Sequence, residues 1–228
     1  MPQTPFNIAL AVDSSHALET AALQALKVGG AGLYWPNPWV AQPKLLEIAS
    51  DLVPPFGGQA QRLCRLGARW SVAFQSQPSL TLPAARQLMA LRLKARANAE
   101  TIAFSWPQFA FSTAIGAPAV SGASQAGASL VVNGLTPSTT ALIAGLFFSL
   151  TIGERSYLHA LSANATVDGS GNATLAIAPI LRAVPASGAA LNFATPVIEG
   201  FVEGQSEDWT IDMLAFVGLP SFTVTEPT

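Results

Sequence analysis

Between residues 113 and 196 the chain carries almost no charge and is rich in Ala, Ser, Gly, Thr and Val. Short apolar or alternating runs recur there with turn residues between them, at 129–133, 147–152, 157–161, 173–178 and 190–194. Runs this short and this closely spaced leave little room for helices and predict a small β-barrel or sandwich. The stretch Asp168-Gly169-Ser170-Gly171-Asn172 supplies a strong hairpin turn, because its residues adopt turn backbone at little steric cost.

The flanks have a different texture. A strand is expected at 6–12, followed by a helix that Asp13, Ser14 and Ser15 can cap. Its apolar residues would be Leu18, Ala22, Leu23 and Leu26, and Gly29-Gly30 would stop it near 27. Three prolines between 33 and 43 predict an irregular, proline-stiffened arm carrying Trp35 and Trp39. A short helix is expected at 44–52, ended by Pro54-Pro55. Trp70, Val72 and Phe74 alternate onto one face of a strand at 69–75. Pro83 then opens a helix to about 97, with Ala84, Leu88, Leu91 and Ala95 on a narrow apolar face and Arg86, Arg92, Lys94 and Arg96 forming a basic outer surface. Strands follow at 101–106 and 108–112.

After Pro196 the earlier style returns, with strands expected at 197–203, around Trp209, Ile211 and Met213, and at 221–225. The pattern predicts a mainly β protein with a few helices. Residues 1–112 form an arm and a β-sandwich, 113–196 an inserted small barrel, and 197–228 the strands that complete the first domain.

Half of the 228 residues are hydrophobic but only 11% are charged, against about 25% in an ordinary soluble domain. A subunit that buries much of its surface against copies of itself fits this composition. A monomer with a Ser/Thr/Asn-rich surface is the alternative. The net charge of −2 argues against nucleic-acid binding, which needs a basic excess.

The charges are unevenly placed. From Arg62 to Arg96 there are seven bases and no acid, and from Glu199 onward six acids and no base. Such blocks can pair within one fold or across a subunit interface. Arg62, Arg65, Arg69, Arg86, Arg92 and Arg96 on one side, with Glu199, Glu203, Glu207 and Asp208 on the other, are therefore candidate interface residues. The single cysteine, Cys64, excludes an internal disulfide and suits a reducing compartment. The first twelve residues lack the pattern of a signal peptide. The most apolar run, 140–152, is too short to span a bilayer and predicts a buried strand.

Catalytic chemistry is scarce, because catalysis needs polar groups in convergent sets. Neither His16 nor His159 belongs to a metal-binding motif, so no cofactor or metal is expected. His159 sits in a strand as a packed or edge histidine, and His16 beside a helix cap. Ser124 lacks the spacing and the strand-to-helix setting of a nucleophile elbow. Asp168 and Asn172 lack the remaining ligands of a calcium loop. Glu203, Glu207 and Asp208 are near one another in sequence without the geometry of a glycosidase pair. Cys64 is expected as a packed thiol, and Arg182 as half of an interface or core-edge salt bridge. Trp35 and Trp39 fit two roles equally: docking on a sugar or neighbouring subunit, or packing against the first helix.

Several phrases, in order, resemble the Dit-like distal tail proteins of long-tailed phages and prophages. They are the stretch 116–130 (GAPAVSGASQAGASL), Ala144-Gly145-Leu146-Phe147-Phe148, Leu158-His159-Ala160, the stretch 168–175 leading to Ala178-Pro179-Ile180-Leu181-Arg182, then Pro185-Ala186-Ser187-Gly188-Ala189, Trp209 and Ser221-Phe222. Gly67-Ala68-Arg69-Trp70 and the Pro83 helix are similar to the ring-forming part of the same proteins. The resemblance covers roughly residues 60–228. It implies a virion structural protein, made in the host cytoplasm, that forms a homo-oligomeric ring, usually a hexamer, at the distal end of the tail tube. That ring would join the tube protein to the hub, other tail-tip proteins and receptor-binding fibres, with the inserted barrel facing outward. A closed ring needs two different complementary faces on each subunit. A carbohydrate-binding or host-adhesion module of a tail tip is the alternative.

Overall fold

The computed structural model of the protein describes residues 33–35, 40–54, 57–64, 66–75, 82–106, 115–138, 142–204, 206, 210–211, 217–218 and 221–227. The elements run β1 (Leu33–Trp35), β2 (Val40–Leu46), β3 (Ala49–Leu52), β4 (Gln61–Cys64), β5 (Arg69–Gln75), α1 (Leu82–Asn98) and β6 (Ile102–Ser105). Then come β7 (Gly116–Val120), β8 (Gly127–Leu135), β9 (Phe147–Ile152), β10 (Arg155–Leu161), β11 (Ala173–Leu181) and β12 (Leu191–Asn192). The chain closes with β13 (Val197–Val202), β14 (Thr210–Ile211), β15 (Val217–Gly218) and β16 (Phe222–Thr225). The fold is mainly β, as expected.

Two six-stranded sheets dominate. The first has the order β1-β6-β13-β16-β5-β2 and so draws strands from both ends of the chain. The second, β12-β9-β10-β11-β8-β7, comes wholly from the middle segment. Its two edges meet, because Ala119 bridges Ala190 and the Val120 amide donates to the Ala189 carbonyl. The result is a nearly closed barrel, which leaves little free strand edge. The chain leaves the first sheet and returns to it at one place: Ser105 pairs with Val197, and the Trp106 amide donates to the Pro196 carbonyl.

Each sheet has its own core. In the first, Phe74, Phe104 and Phe222 form an aromatic cluster with ring centroids 4.9–5.8 Å apart. Leu88 and Ala95 of α1 pack against this layer, as their helical spacing predicts. In the barrel, Leu130, Leu150, Leu161 and Leu175 pack with Phe148 and Phe193. Helix α1 ends on Ala99, whose φ of 52° is left-handed, and the Glu100 amide then donates to the Ala95 carbonyl. Gly200 is required by close approach, since a Cβ there would run into the Thr225 backbone.

Several expectations are corrected. Residues 44–52 form strands β2 and β3 rather than a helix, because β2 pairs along its whole length with β5. Long-range pairing of this kind overrides local propensity. The stretch 33–43 is not wholly irregular either, since it contains β1 and the start of β2. Pro43 is accommodated because β2 is the sheet's edge strand, where its missing N–H breaks no ladder. Arg92 is not on a basic outer surface: it is 5% exposed, with its guanidinium 4.7 Å from the Phe222 ring centre. The 168–172 turn lies, as expected, between antiparallel neighbours, but in a longer connection, residues 162–172, that links β10 to β11. It closes on itself ahead of β11, whose first residues pair with β8. Strand β7 has no counterpart among the predicted runs. The expected elements at 6–12, 13–27 and 108–112 lie outside the described residues, as do Trp209 and Met213.

Candidate functional site: the seam between the two sheets

Strand β10 is where the barrel meets the first sheet. Its six residues Arg155 to Ala160 pair with β9, but only Ala160 and Leu161 pair with β11. Pro179, which has no amide hydrogen, stands where that pairing ends. The amides of Ser156 and Leu158 therefore face away from β9 with no strand to receive them. A buried amide left unpaired costs about 1–3 kcal/mol. Two carboxylates of the first sheet accept both hydrogen bonds. Glu199 Oε2 of β13 accepts from Ser156 N at 2.9 Å, and Glu226 Oε1, just past β16, accepts from Leu158 N at 2.7 Å.

Both acids are tied back to their own sheet. Glu199 Oε1 accepts from the Thr101 hydroxyl at 2.7 Å. Glu226 Oε2 accepts from the Trp70 amide of β5 at 2.9 Å and from Arg182 Nη2 at 2.7 Å. The Arg182–Glu226 ion pair is the most deeply buried one among the described residues, with side-chain exposures of 8% and 0%. Arg182 Nη1 also donates to the Pro227 carbonyl at 2.9 Å, and the guanidinium lies 4.8 Å from the Tyr157 ring centre. Burial pushes the Glu226 carboxyl above its ordinary value. The neighbouring Arg182 charge and the two donated backbone hydrogens offset part of that rise.

Aromatic packing completes the seam. Phe147 of β9 sits against Trp106 at 4.3 Å and edge-on to Trp70 at 5.4 Å between ring centres. Leu158 packs into the first sheet's core rather than the barrel's. Next to it His159, 1% exposed, points to the barrel side, where Nδ1–H donates to the Pro179 carbonyl at 3.0 Å. Burial, with the nearby Arg182 charge adding to it, lowers the His159 pKa to about 4 against the pull of that hydrogen bond. The imidazole is neutral at pH 7.

Among the described residues, the candidate interface side chains do not gather into one surface. Arg62 forms exposed ion pairs with Glu47 and, at 3.9 Å, Asp51. Arg96 donates to the carbonyls of Glu203 and Gly204. Arg92 and Glu199 are buried, and Arg69 begins β5. Glu203 accepts from the Thr225 hydroxyl. Arg86 lies in α1 and Trp35 ends β1. Arg65, Trp39, Glu207, Asp208 and His16 lie outside the described residues.

The basic and acidic blocks thus engage partly within the chain: Arg96 reaches the Glu203–Gly204 backbone, and two of the acids are committed to the seam. Of the interface or core-edge salt bridge expected for Arg182, the structure shows the second, within the chain. Asp168 accepts from the Ser170 and Asn172 amides at 2.8 Å each, so its carboxylate closes its own turn. Among the described residues no three or more His, Cys, Asp or Glu side chains gather as a metal site would require, and no helix is long and apolar enough to cross a membrane.

Sequence reasoning missed Glu226, Trp106 and Phe147 as a unit. One signal was available: Phe222, Val224 and Glu226 continue a single inward period, and an acid in an inward position needs a buried partner. Compared with models of known protein families and with curated protein sequences, the chain matches none.

Proposed function

We propose that this chain is a structural subunit of the tail tip of a long-tailed phage, one that assembles as a ring at the end of the tail tube and carries its barrel as an outward docking platform for hub or fibre proteins. The observation that supports the reading best is the seam. A connector has to pass force from one partner to another without its own parts separating. Here the barrel is fixed to the first sheet by two buried carboxylates, an ion pair and an aromatic trio. The ordered phrases from Gly116 to Phe222 supply the resemblance that gives the connector its place. The carbohydrate-binding alternative draws on Trp35 and Trp39, and no described side chain favours it.

Labelling of assembled particles with an antibody to the barrel tests the reading. Signal confined to one end of the tail supports it. Signal along the whole tube, or intact particles lacking the protein, withdraws it.

A further inference from the structure

A groove of about 230 Å³ opens between the last turn of α1 and β13. Its lining is Ala95, Arg96, Ala99, Glu100, Phe201 and Val202, so four of the six side chains are apolar. This is below the roughly 300–1,000 Å³ of small-molecule sites and suits a few inserted side chains. Phe201 is 41% exposed. Leu93, three residues before Arg96 and so on the same side of α1, is 45% exposed. Arg96 is held by the carbonyls of Glu203 and Gly204, so it braces the groove and offers no free charge. Position, not charge, identifies what fills the groove.

The register of the first sheet shows which part of the chain arrives there. Leu33 of β1, Ile102 of β6 and Gly200 of β13 stand in one row across three strands. Leu33 is thus two strand spacings, about 10 Å, from Gly200. Strand β1 runs parallel to β6, so the chain ahead of Leu33 joins the sheet where Glu100 precedes β6. Phe201 and Val202 follow Gly200 at that same end, which is the end that holds the groove. Helix α1 contacts both β1 and β13 and so spans from the entry point to the groove.

The residues ahead of Leu33 lie outside the described residues, and their sequence carries the second half of the argument. Leu18, Ala22, Leu23 and Leu26 recur there at helical spacing. A stretch as short as 13–27 is marginal as an isolated helix in water and needs an apolar surface to lie on. Residues 28–32 link it to Leu33, and five residues reach about 17 Å when extended, more than the distance to the groove.

We propose that residues 13–27 of the same chain seat in the groove between α1 and β13, with Leu18, Leu23 and Leu26 covering Phe201 and Leu93. The inference is independent of the tail-tip reading. It gives the exposed apolar side of α1 an occupant that the chain itself delivers.

Hydrogen exchange on the full chain tests it, read at the amides of residues 18–27. In the wild type they should exchange at least about tenfold slower than in an unfolded chain of that sequence, the size of effect that one buried apolar side chain gives. Phe201→Ser and Ala99→Asp, both at exposed positions, should return them to the unfolded rate. The Ser156 and Leu158 amides should stay protected in both variants and so report an intact fold. Asp tolerates the left-handed φ of Ala99, so that variant decides the matter if Phe201→Ser fails to fold. Unprotected amides in the wild type overturn the inference, and so does protection that survives Ala99→Asp. Protection that appears only as the chain is concentrated assigns the groove to the same segment of a second copy and overturns docking within one chain. None of these outcomes bears on the tail-tip reading, which particle labelling decides.

Discussion

The seam and the β3–β4 hairpin leave their strand edges in opposite states. At the seam, the free edge of β10 is buried and its amides are answered by carboxylates placed to receive them. In the hairpin, β3 and β4 pair only with each other among the described residues, and Leu52 and Leu63 are about half exposed. The first arrangement is finished within one chain. The second leaves apolar side chains partly exposed. Polar groups dominate where the contact is permanent and must be specific, because an unpaired amide or charge penalises any other register.

If the seam is a permanent joint, breaking it should unfold or loosen the whole molecule. Glu226→Ala removes the acceptor for the Leu158 and Trp70 amides and strands the Arg182 guanidinium in a buried site. Removing one partner of a buried pair costs about 3–5 kcal/mol, so urea denaturation should show a loss of that size. A loss below about 1 kcal/mol would mean that water replaces the carboxylate and that the joint is dispensable.

A second, smaller effect comes from the barrel side of the same strand. The His159 pKa is about 4 when folded and about 6.5 when unfolded. The folded state therefore excludes a proton that the unfolded state takes up. The resulting stability is fully present above pH 6.5, falls as pH drops towards 4, and is lost below that. The span is on the order of 3 kcal/mol by linkage. His159→Gln should flatten this part of the stability–pH curve. An unchanged slope in that variant would assign the acid loss to other groups.

Much of the fold was legible because the signals were local. The alternation of Trp70, Val72 and Phe74, the Pro83 helix start and the low-charge segment of short strands all correspond to observed elements. Strand β2 was illegible for the opposite reason. Lys44 to Leu46 have no strong intrinsic preference, and only pairing with β5, more than twenty residues later, makes them a strand. The seam was half legible. Arg182 could be assigned an ion pair from its strand-end position. Its partner could not be named, since Glu226 lies 44 residues away and its burial depends on two sheets meeting. Counting acids by block obscured this, because Glu199 and Glu226 belong to the interior while Glu203, two strand positions on from Phe201, does not.

The smallest expected effect is the one that separates the two regions most sharply. Leu63→Ser on the β3–β4 hairpin removes a side chain that is about half exposed, so the stability of the isolated chain should move by no more than about 0.5 kcal/mol. Amide exchange should agree. Protons of β3 and β4 should exchange through local opening, whereas the Ser156 and Leu158 amides should open only with the global transition. A large loss of stability in Leu63→Ser, or hairpin amides as protected as those of β10, would show that the hairpin is part of the folded core of a single chain. The contrast drawn between a finished joint and an open one would then fail at the hairpin, with the seam unaffected.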